Sequence, residues 1–331
     1  VLESLRSKLL TRQIRKFLHG VSIPESMSGF LNIVDDAYAH YEENLNLLER
    51  ALDLSSRELN DAKTKVTKAY AQINEKNEDL LSSIQYARLI QEAILPSEDR
   101  FRSVISDSFV FHAPRDIVSG DFYWLQEYDG KILIAAVDCT GHGVPGAFMS
   151  IIGNNALNAA VREEGFTTPS LILDYLNENV SDTLRQKTED TMGIKDGMDI
   201  ALISLDFKKM KLEYAGAYNP LYIMREGKLL ETKGDKFPIG ISIDDRLRKF
   251  TNHEMKIQSG DVIYIFSDGY ADQFGGPLGK KFKYDKFRSM LYEVHTMPPN
   301  EQLKIVKDRF NRWRGGLMQL DDVLLIGMRI P

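Results

Sequence analysis

Hydrophobic and polar positions divide the chain into two stretches with different periods. Leu45, Leu52, Leu59, Val66, Ile73, Leu80, Ala87 and Ile94 recur every seven residues, with no Pro or Gly among them. A repeat sustained this long predicts a long helix carrying one narrow apolar seam, as in a coiled coil. The companion row three residues on is mixed: Leu48, Ser55, Ala62, Ala69, Lys76, Ser83, Ile90. Four residues on, Tyr70 and Ile84 enter, but so do Glu49, Lys63 and Asn77. Two packings of similar energy are therefore open, as is a helix lying along the domain that follows it. Pro96 should end the helix. Upstream, Leu2 to Gly20 reads as a basic amphipathic helix with Leu5, Leu9 and Ile14 on its apolar side. It is expected to pack on a partner helix or an upstream domain, with a membrane surface or a calmodulin-like groove as the alternative. Pro24 breaks the chain, and a second helical region begins near Met27.

From Phe101 the pattern changes to strands. SDSFVFHAP alternates, and FYWLQEY with KILIAAVD reads as a hairpin turned at Asp129-Gly130. Helices are expected over Val144 to Glu164 and Leu171 to Lys187. MDIALISLDF, KLEYAGA and a hairpin about Glu226-Gly227 follow, then a strand pair around Lys249 to Ile257 and Val262 to Ser267. Helices at Lys286 to Val294 and Asn300 to Trp313 precede a last strand, Val323 to Ile330. Antiparallel strands interrupted by helix pairs predict a layered α+β domain. The organisation expected is a helical segment over 1–42, a linker helix over 43–95 and a globular domain over 101–331. Trp124 and Trp313 are expected as core anchors, and His112, His253 and His295 as structural or surface residues.

Composition narrows the class. The chain has 331 residues, 43% hydrophobic and 27% charged, an ordinary soluble profile with room for more than one domain. A net charge of -6 argues against nucleic acid as a partner, since that binding is driven by Lys and Arg neutralising phosphates. A single cysteine, Cys139, excludes an internal disulfide framework and fits a reducing compartment. No apolar run is long enough to span a bilayer and no secretory signal is visible, so a cytoplasmic location is expected. Because the sequence begins at Val1, it is read as a fragment, with an upstream sensor domain or partner expected.

Candidate chemistry lies where apolar runs end on acid. ILIAAVD ends on Asp138, VIYIFSD ends on Asp268, Asp321 opens DDVLLIGMRI, and SGDFYW carries Asp121. One such Asp can simply start a turn. Four of them, beside glycines, suggest a hard divalent cation, because carboxylates gathered without one raise each other's pKa values.

SGDFYW, DCTGHGVPGA, SDG and DDV, in this order over roughly Phe101 to Pro331, resemble the PPM-type (protein phosphatase 2C-like) phosphatases. Within them the resemblance is to the bacterial branch of the sporulation stage II E and stress-response phosphatases. It implies two packed sheets flanked by helices, with the site at one end of the sandwich. It implies two Mn²⁺ or Mg²⁺ ions, with Asp138 bridging, Asp121 on the second metal, and Asp268 and Asp321 on the first. Cys139 would contribute a backbone carbonyl where many relatives have Gly. A thiolate beside carboxylates is disfavoured, so Cys139 is not expected to be a nucleophile. His142 could protonate the leaving oxygen or brace its loop. Arg115 could clamp phosphate or form a surface ion pair with Asp116 or Glu127. Asp199, and less so Asp196, could hold a weaker third metal or turn the chain.

The activity implied is metal-dependent hydrolysis of phosphoserine or phosphothreonine in a regulatory protein such as an anti-sigma-factor antagonist. Control would pass through the helical linker of a homodimer joined over residues 45–94. The alternatives are a catalytically weak or dead binding module and a scaffold whose function is the coiled coil.

Overall fold

A computed structural model describes residues 5–18, 21, 23–185, 196–240 and 248–331. The start of the helix expected from Leu2 and the end of the one expected to Lys187 lie outside them. The chain divides into two compact units, Val1–Leu80 and Leu81–Pro331.

In the first unit, helix α1 (Lys8–Phe17) packs on the start of helix α2 (Ser28–Ile94). Its partner is thus in its own chain: Leu10 and Ile14 bury against Leu31. Ser7 caps α1, its Oγ accepting from Leu10 N at 3.1 Å, while Asp35 accepts from the backbone N–H of Arg6 and Ser7. Carboxylates suit this end because unpaired N–H groups and the helix dipole make it positive. A turn of 3₁₀ helix, Glu25–Met27, leads into α2, which continues unbroken through residues 42 and 43. Within this unit its seam is open, with Leu59 70% and Val66 69% exposed.

The second unit contains the end of α2. Phe101 was expected to begin the strands; it lies instead, buried, in a short helix α3 (Glu98–Val104). Ser97 Oγ caps that helix by accepting from Arg100 N. Ser before two acidic residues is an N-terminal signal that the alternation downstream overshadowed.

Among the described residues, ten strands form two antiparallel five-stranded sheets, and two more a small hairpin. The first sheet has the order β1 (Ser108–Ala113), β12 (Val323–Arg329), β9 (Val262–Phe266), β6 (Leu221–Arg225), β7 (Lys228–Thr232). The second has the order β2 (Phe122–Tyr128), β3 (Lys131–Cys139), β4 (Met198–Asp206), β5 (Lys211–Ala217), β8 (His253–Lys256). The hairpins at Asp129-Gly130 and Glu226-Gly227 form as expected, both residues of each at positive φ, the geometry that matches strand twist.

The two strands expected to pair around Lys249 and Val262 do not. β8 is an edge strand on β5, whereas β9 is buried and lies between β12 and β6 in the opposite sheet. The turn at Gly260, φ +87°, carries the chain from one sheet to the other.

Alternation builds the layers. Ile134, Ala136, Ala201 and Ile203 face Ile263, Ile265, Leu324 and Ile326 between the sheets. Leu133, Ala135 and Val137 face helices α4 (Gly143–Arg162) and α5 (Pro169–Arg185). On the outer side of the first sheet, Tyr264, Phe266 and Leu325 pack against helices α7 (Lys283–Val294) and α8 (Pro299–Arg314). The unit is therefore an αββα sandwich, the two-sheet architecture expected. Helix α6 (Gly269–Asp272) is a single turn, and β10 (Phe274–Gly275) with β11 (Lys280–Lys281) forms the small hairpin.

Candidate metal centre

The same alternation continues beyond the strand ends and turns acid into the mouth of the sandwich. Asp138 follows Ile134 and Ala136 on the face between the sheets, and Asp121 precedes Tyr123 on that face. Asp199 shares its face with Ala201, and Asp322 shares its face with Leu324. Asp138 and Asp199 are direct partners in the β3–β4 ladder. Asp268 follows β9 and Asp321 precedes β12, neighbouring strands that end and begin at the same place.

Their mutual field is strong. Burial, then the charges of Asp121, Asp268, Asp321 and Asp199, push the Asp138 carboxyl well above the usual carboxylate range. Asp121 is pushed up by burial and by Asp322, Asp321 and Asp268, against a hydrogen bond donated by Ser267 Oγ at 2.5 Å. Burial raises Asp199 to about 7, with Asp268 adding to the shift. Burial, Asp272 and Asp321 raise Asp268 to about 6, with Lys281 opposing. Asp321 is raised by burial and by Asp322, while the N–H of Asp322 and, further off, His142 and Arg115 work the other way.

This all-oxygen donor set, short of positive charge, fits Mg²⁺ or Mn²⁺ in kind. Among the described residues, no three His, Cys, Asp or Glu side chains converge closely enough to make a ligand shell as they stand. The carboxylates share a mouth and a field rather than a finished coordination sphere.

The loop bearing Asp121 is held from three sides. Asp322, 1% exposed, accepts from Gly120 N at 2.7 Å and Arg115 N at 2.6 Å. A β-carbon on Gly120 would come within 2.6 Å of the Gly141 carbonyl, so only glycine lets the two loops close. His112 Nε2 lies 3.2 Å from Ser119 Oγ and 3.1 Å from the Asp121 carbonyl, and burial pushes its pKa down.

The third hold is Gln91, buried near the end of α2. Its Nε2 donates to Ser119 O at 2.6 Å and to Ser150 Oγ on α4 at 2.9 Å, and its Oε1 accepts from Ser119 N. One side-chain amide thus joins α2, the Asp121 loop and α4.

Asp121, Asp138, Asp199, Asp268 and Asp321 act on one another through charge. Cys139 faces the helices, and burial followed by the charge of Asp138 pushes its thiol well up. Arg115 pairs with neither Asp116 nor Glu127: its Nη1 donates to Leu320 O at 2.7 Å, beside Asp321. Asp116 is taken by His142, Nδ1 to Oδ2 2.6 Å, across the start of α4. That contact braces the loop and leaves Nε2 as the ring's other polar atom. Sequence reading passed over Asp322, Ser267 and Gln91. Asp322 had a signal: its parity with Leu324 and Ile326 on the inward face of β12.

The profile of the stage II sporulation protein E (SpoIIE) family matches residues 128–331. The chain belongs to this family. Its architecture agrees with solved SpoIIE-branch phosphatase domains. The SiaA-PP2C domain of Pseudomonas aeruginosa is 31% identical with a TM-score of 0.69, over 77% of this chain and 98% of that one. The PP2C phosphatase domain and a regulatory-domain fragment of SpoIIE from Bacillus subtilis share the fold at 21% identity and TM-score 0.53, over 67% of this chain and 62% of that one. The RsbU and RsbW domains of Rv1364c from Mycobacterium tuberculosis do so at 20% identity and 0.51, over 67% and 59%. No curated protein matches the sequence. Among the described residues, no helix is long and apolar enough to cross a membrane.

Proposed function

We propose that this SpoIIE-family chain is a metal-dependent protein serine/threonine phosphatase. Its substrate would be a phosphorylated regulatory protein, an anti-sigma-factor antagonist or its equivalent. The observation that carries the reading is the placement of strand-end carboxylates from β2, β3, β4, β9 and β12 at one end of the sandwich, where Asp268 and Asp321 raise the pKa of Asp121 and Asp138. Asp138, Asp121, Asp268 and Asp321, with the Cys139 carbonyl, would hold two ions, and Asp199 would serve a weaker third. Bound Mn²⁺ or Mg²⁺ would supply the charge that makes an attacking hydroxide available near neutral pH and offsets charge on the phosphoryl oxygens.

The chain's own groups do the rest. Arg115, tethered at its backbone by Asp322, places a cation at the edge of the mouth to orient a phosphate. His142, fixed at Nδ1 by Asp116, presents Nε2 as a proton donor to the leaving Ser or Thr oxygen. Ser267 and Gln91 hold Asp121 and its loop in place. Residues 45–94 would join two chains, consistent with seam positions left exposed within one chain, and Gln91 would pass changes in that helix to the Asp121 loop.

The absence of a finished ligand shell favours a second reading, a catalytically weak module acting by binding. One assay separates them: release of phosphate from para-nitrophenyl phosphate and a phosphoserine peptide after chelation and after Mn²⁺ is restored. Turnover that disappears with EDTA and returns with Mn²⁺ supports the phosphatase; none under either condition supports the module.

A further inference from the structure

Beside the mouth lies a groove of about 460 Å³ that the proposed chemistry does not use. Tyr218, Pro220, Lys233, Lys236, Tyr284 and Arg288 line it. Strand register places it. Asp138 pairs with Asp199, and Ile200 with Ala217, so Tyr218 stands next to Asp199, two strands from Asp138, or about 10 Å at the usual strand spacing. In the other sheet Tyr222 pairs with Tyr264, which puts Pro220 level with Phe266, two residues before Asp268.

The groove is aromatic and cationic in an otherwise acidic chain. Lys233 and Lys236 are exposed, and among the described residues neither has an ion pair or hydrogen bond. Arg288 also borders the groove, shared with Asp285 at 2.8 Å and Glu231 at 3.5 Å. Glu231 is the one acid in the lining. Asp235, between the lysines, is occupied with the backbone and side chain of Thr251.

Tyr218 is 51% exposed although its backbone has φ +56°, a conformation uncommon for any residue but Gly or Asn. The turn is fixed all the same: Tyr218 N donates to Asp235 O at 2.8 Å, and Tyr214 Oη donates to Asn219 O at 2.6 Å. A packed turn that holds an aromatic ring out beside two unpaired lysines has the features of a recognition surface rather than of a core.

We propose that this groove binds an acidic stretch flanking the phosphorylated residue of the protein substrate, with Lys233 and Lys236 as its charge contacts and Tyr218 as its apolar contact. This deepens the phosphatase reading and rests on it. The carboxylate mouth takes the phosphate; the groove, about 10 Å away, reaches residues about three along an extended peptide. Selectivity thus comes from a cationic surface that the acidic mouth itself cannot provide.

The test compares two phosphoserine peptides of equal length, one with Asp and Glu at the third and fourth positions from the phosphoserine on both sides and one with Ser and Gln there. The full chain is assayed with Mn²⁺, and para-nitrophenyl phosphate reports the metal chemistry separately. The unaltered chain should prefer the acidic peptide in kcat/KM by at least about fivefold, a preference that shrinks with added salt. Lys233→Glu with Lys236→Glu should abolish or invert it through KM, and Lys233→Gln with Lys236→Gln should fall between. Equal kcat/KM for both peptides in the unaltered chain overturns the proposal. So does a preference that survives charge reversal, or a loss shared equally by both peptides. If para-nitrophenyl phosphate is not hydrolysed either, the phosphatase reading has failed, and this inference falls with it.

Discussion

Asp199 has an ordinary pKa when unfolded and one of about 7 when folded, so its ionisation works against the fold. The stability that its protonated form preserves is complete at pH below the unfolded value and is lost as pH rises through 7. Asp121 and Asp138, also pushed up, act in the same direction. His112, pushed down by burial, opposes them below about pH 6.5, so the clean window is pH 6.5 to 8. The melting temperature of the metal-free chain should fall across that window, and saturating Mn²⁺ should raise it more at pH 8 than at pH 6.5. Parallel curves with and without metal would contradict a cation held by these carboxylates.

At Asp322, replacement by Ala leaves the N–H groups of Gly120 and Arg115 without their acceptor. It should cost about 1–3 kcal/mol in denaturant unfolding as well as activity. Cys139→Ser should keep most activity, since the thiol faces α4 and α5; an inactive Cys139→Ser chain with normal stability would refute that. The strand-end acids were legible because the apolar runs ILIAAVD, VIYIFSD and DDVLLIGMRI end or open on them. The partners of Arg115 and His142 were not, because loops from distant parts of the chain bring Leu320 and Asp116 to them.

Helix α2 shows the same division at the next scale. Its course over 45–94 and its end before Pro96 follow from the seven-residue repeat and proline; its unbroken start at Ser28 does not. The use of its last turns does not, because Gln91 lies in the mixed companion row, four residues after Ala87, where a polar side chain reads as a defect in a seam. It is instead the point at which the helix grips the Asp121 loop and α4. Gln91→Ala removes three hydrogen bonds and leaves Ser119 N unpaired in a buried place. The Mn²⁺ concentration for half-maximal activity should rise about tenfold or more, with Mn²⁺ affinity by titration calorimetry falling in step. Gln91→Glu, which keeps an acceptor for Ser119 N, should lose less. Unchanged metal affinity in Gln91→Ala would leave the helix end a packing element and nothing more.

At the scale of the whole chain, the first unit and the sandwich would have different jobs. If residues 45–94 join two chains, the full chain should be a dimer by light scattering at micromolar concentration. A chain starting at Leu81 should be monomeric yet still bind Mn²⁺, because it keeps Gln91 and Leu95, which packs on the core. A chain starting at Phe101 should bind it more weakly. A monomeric full chain would remove the dimer from the account without touching the metal centre. A layered α+β domain was legible from alternation and turn chemistry, and its two packed sheets from the resemblance alone. The separation of β8 from β9 was not, since nearness in sequence suggests pairing and only sheet packing divides them.

The most direct test of the central claim is Mn²⁺ titration calorimetry on the full chain and on Asp138→Asn at pH 7.5, with phosphate release followed in the same samples. Two ions per chain are expected for the unaltered protein, with turnover tracking occupancy. Asp138→Asn should bind at least about tenfold more weakly and lose roughly a thousandfold or more in turnover, with its fold intact by circular dichroism. Full turnover in Asp138→Asn, or in the unaltered chain stripped of metal, would contradict it.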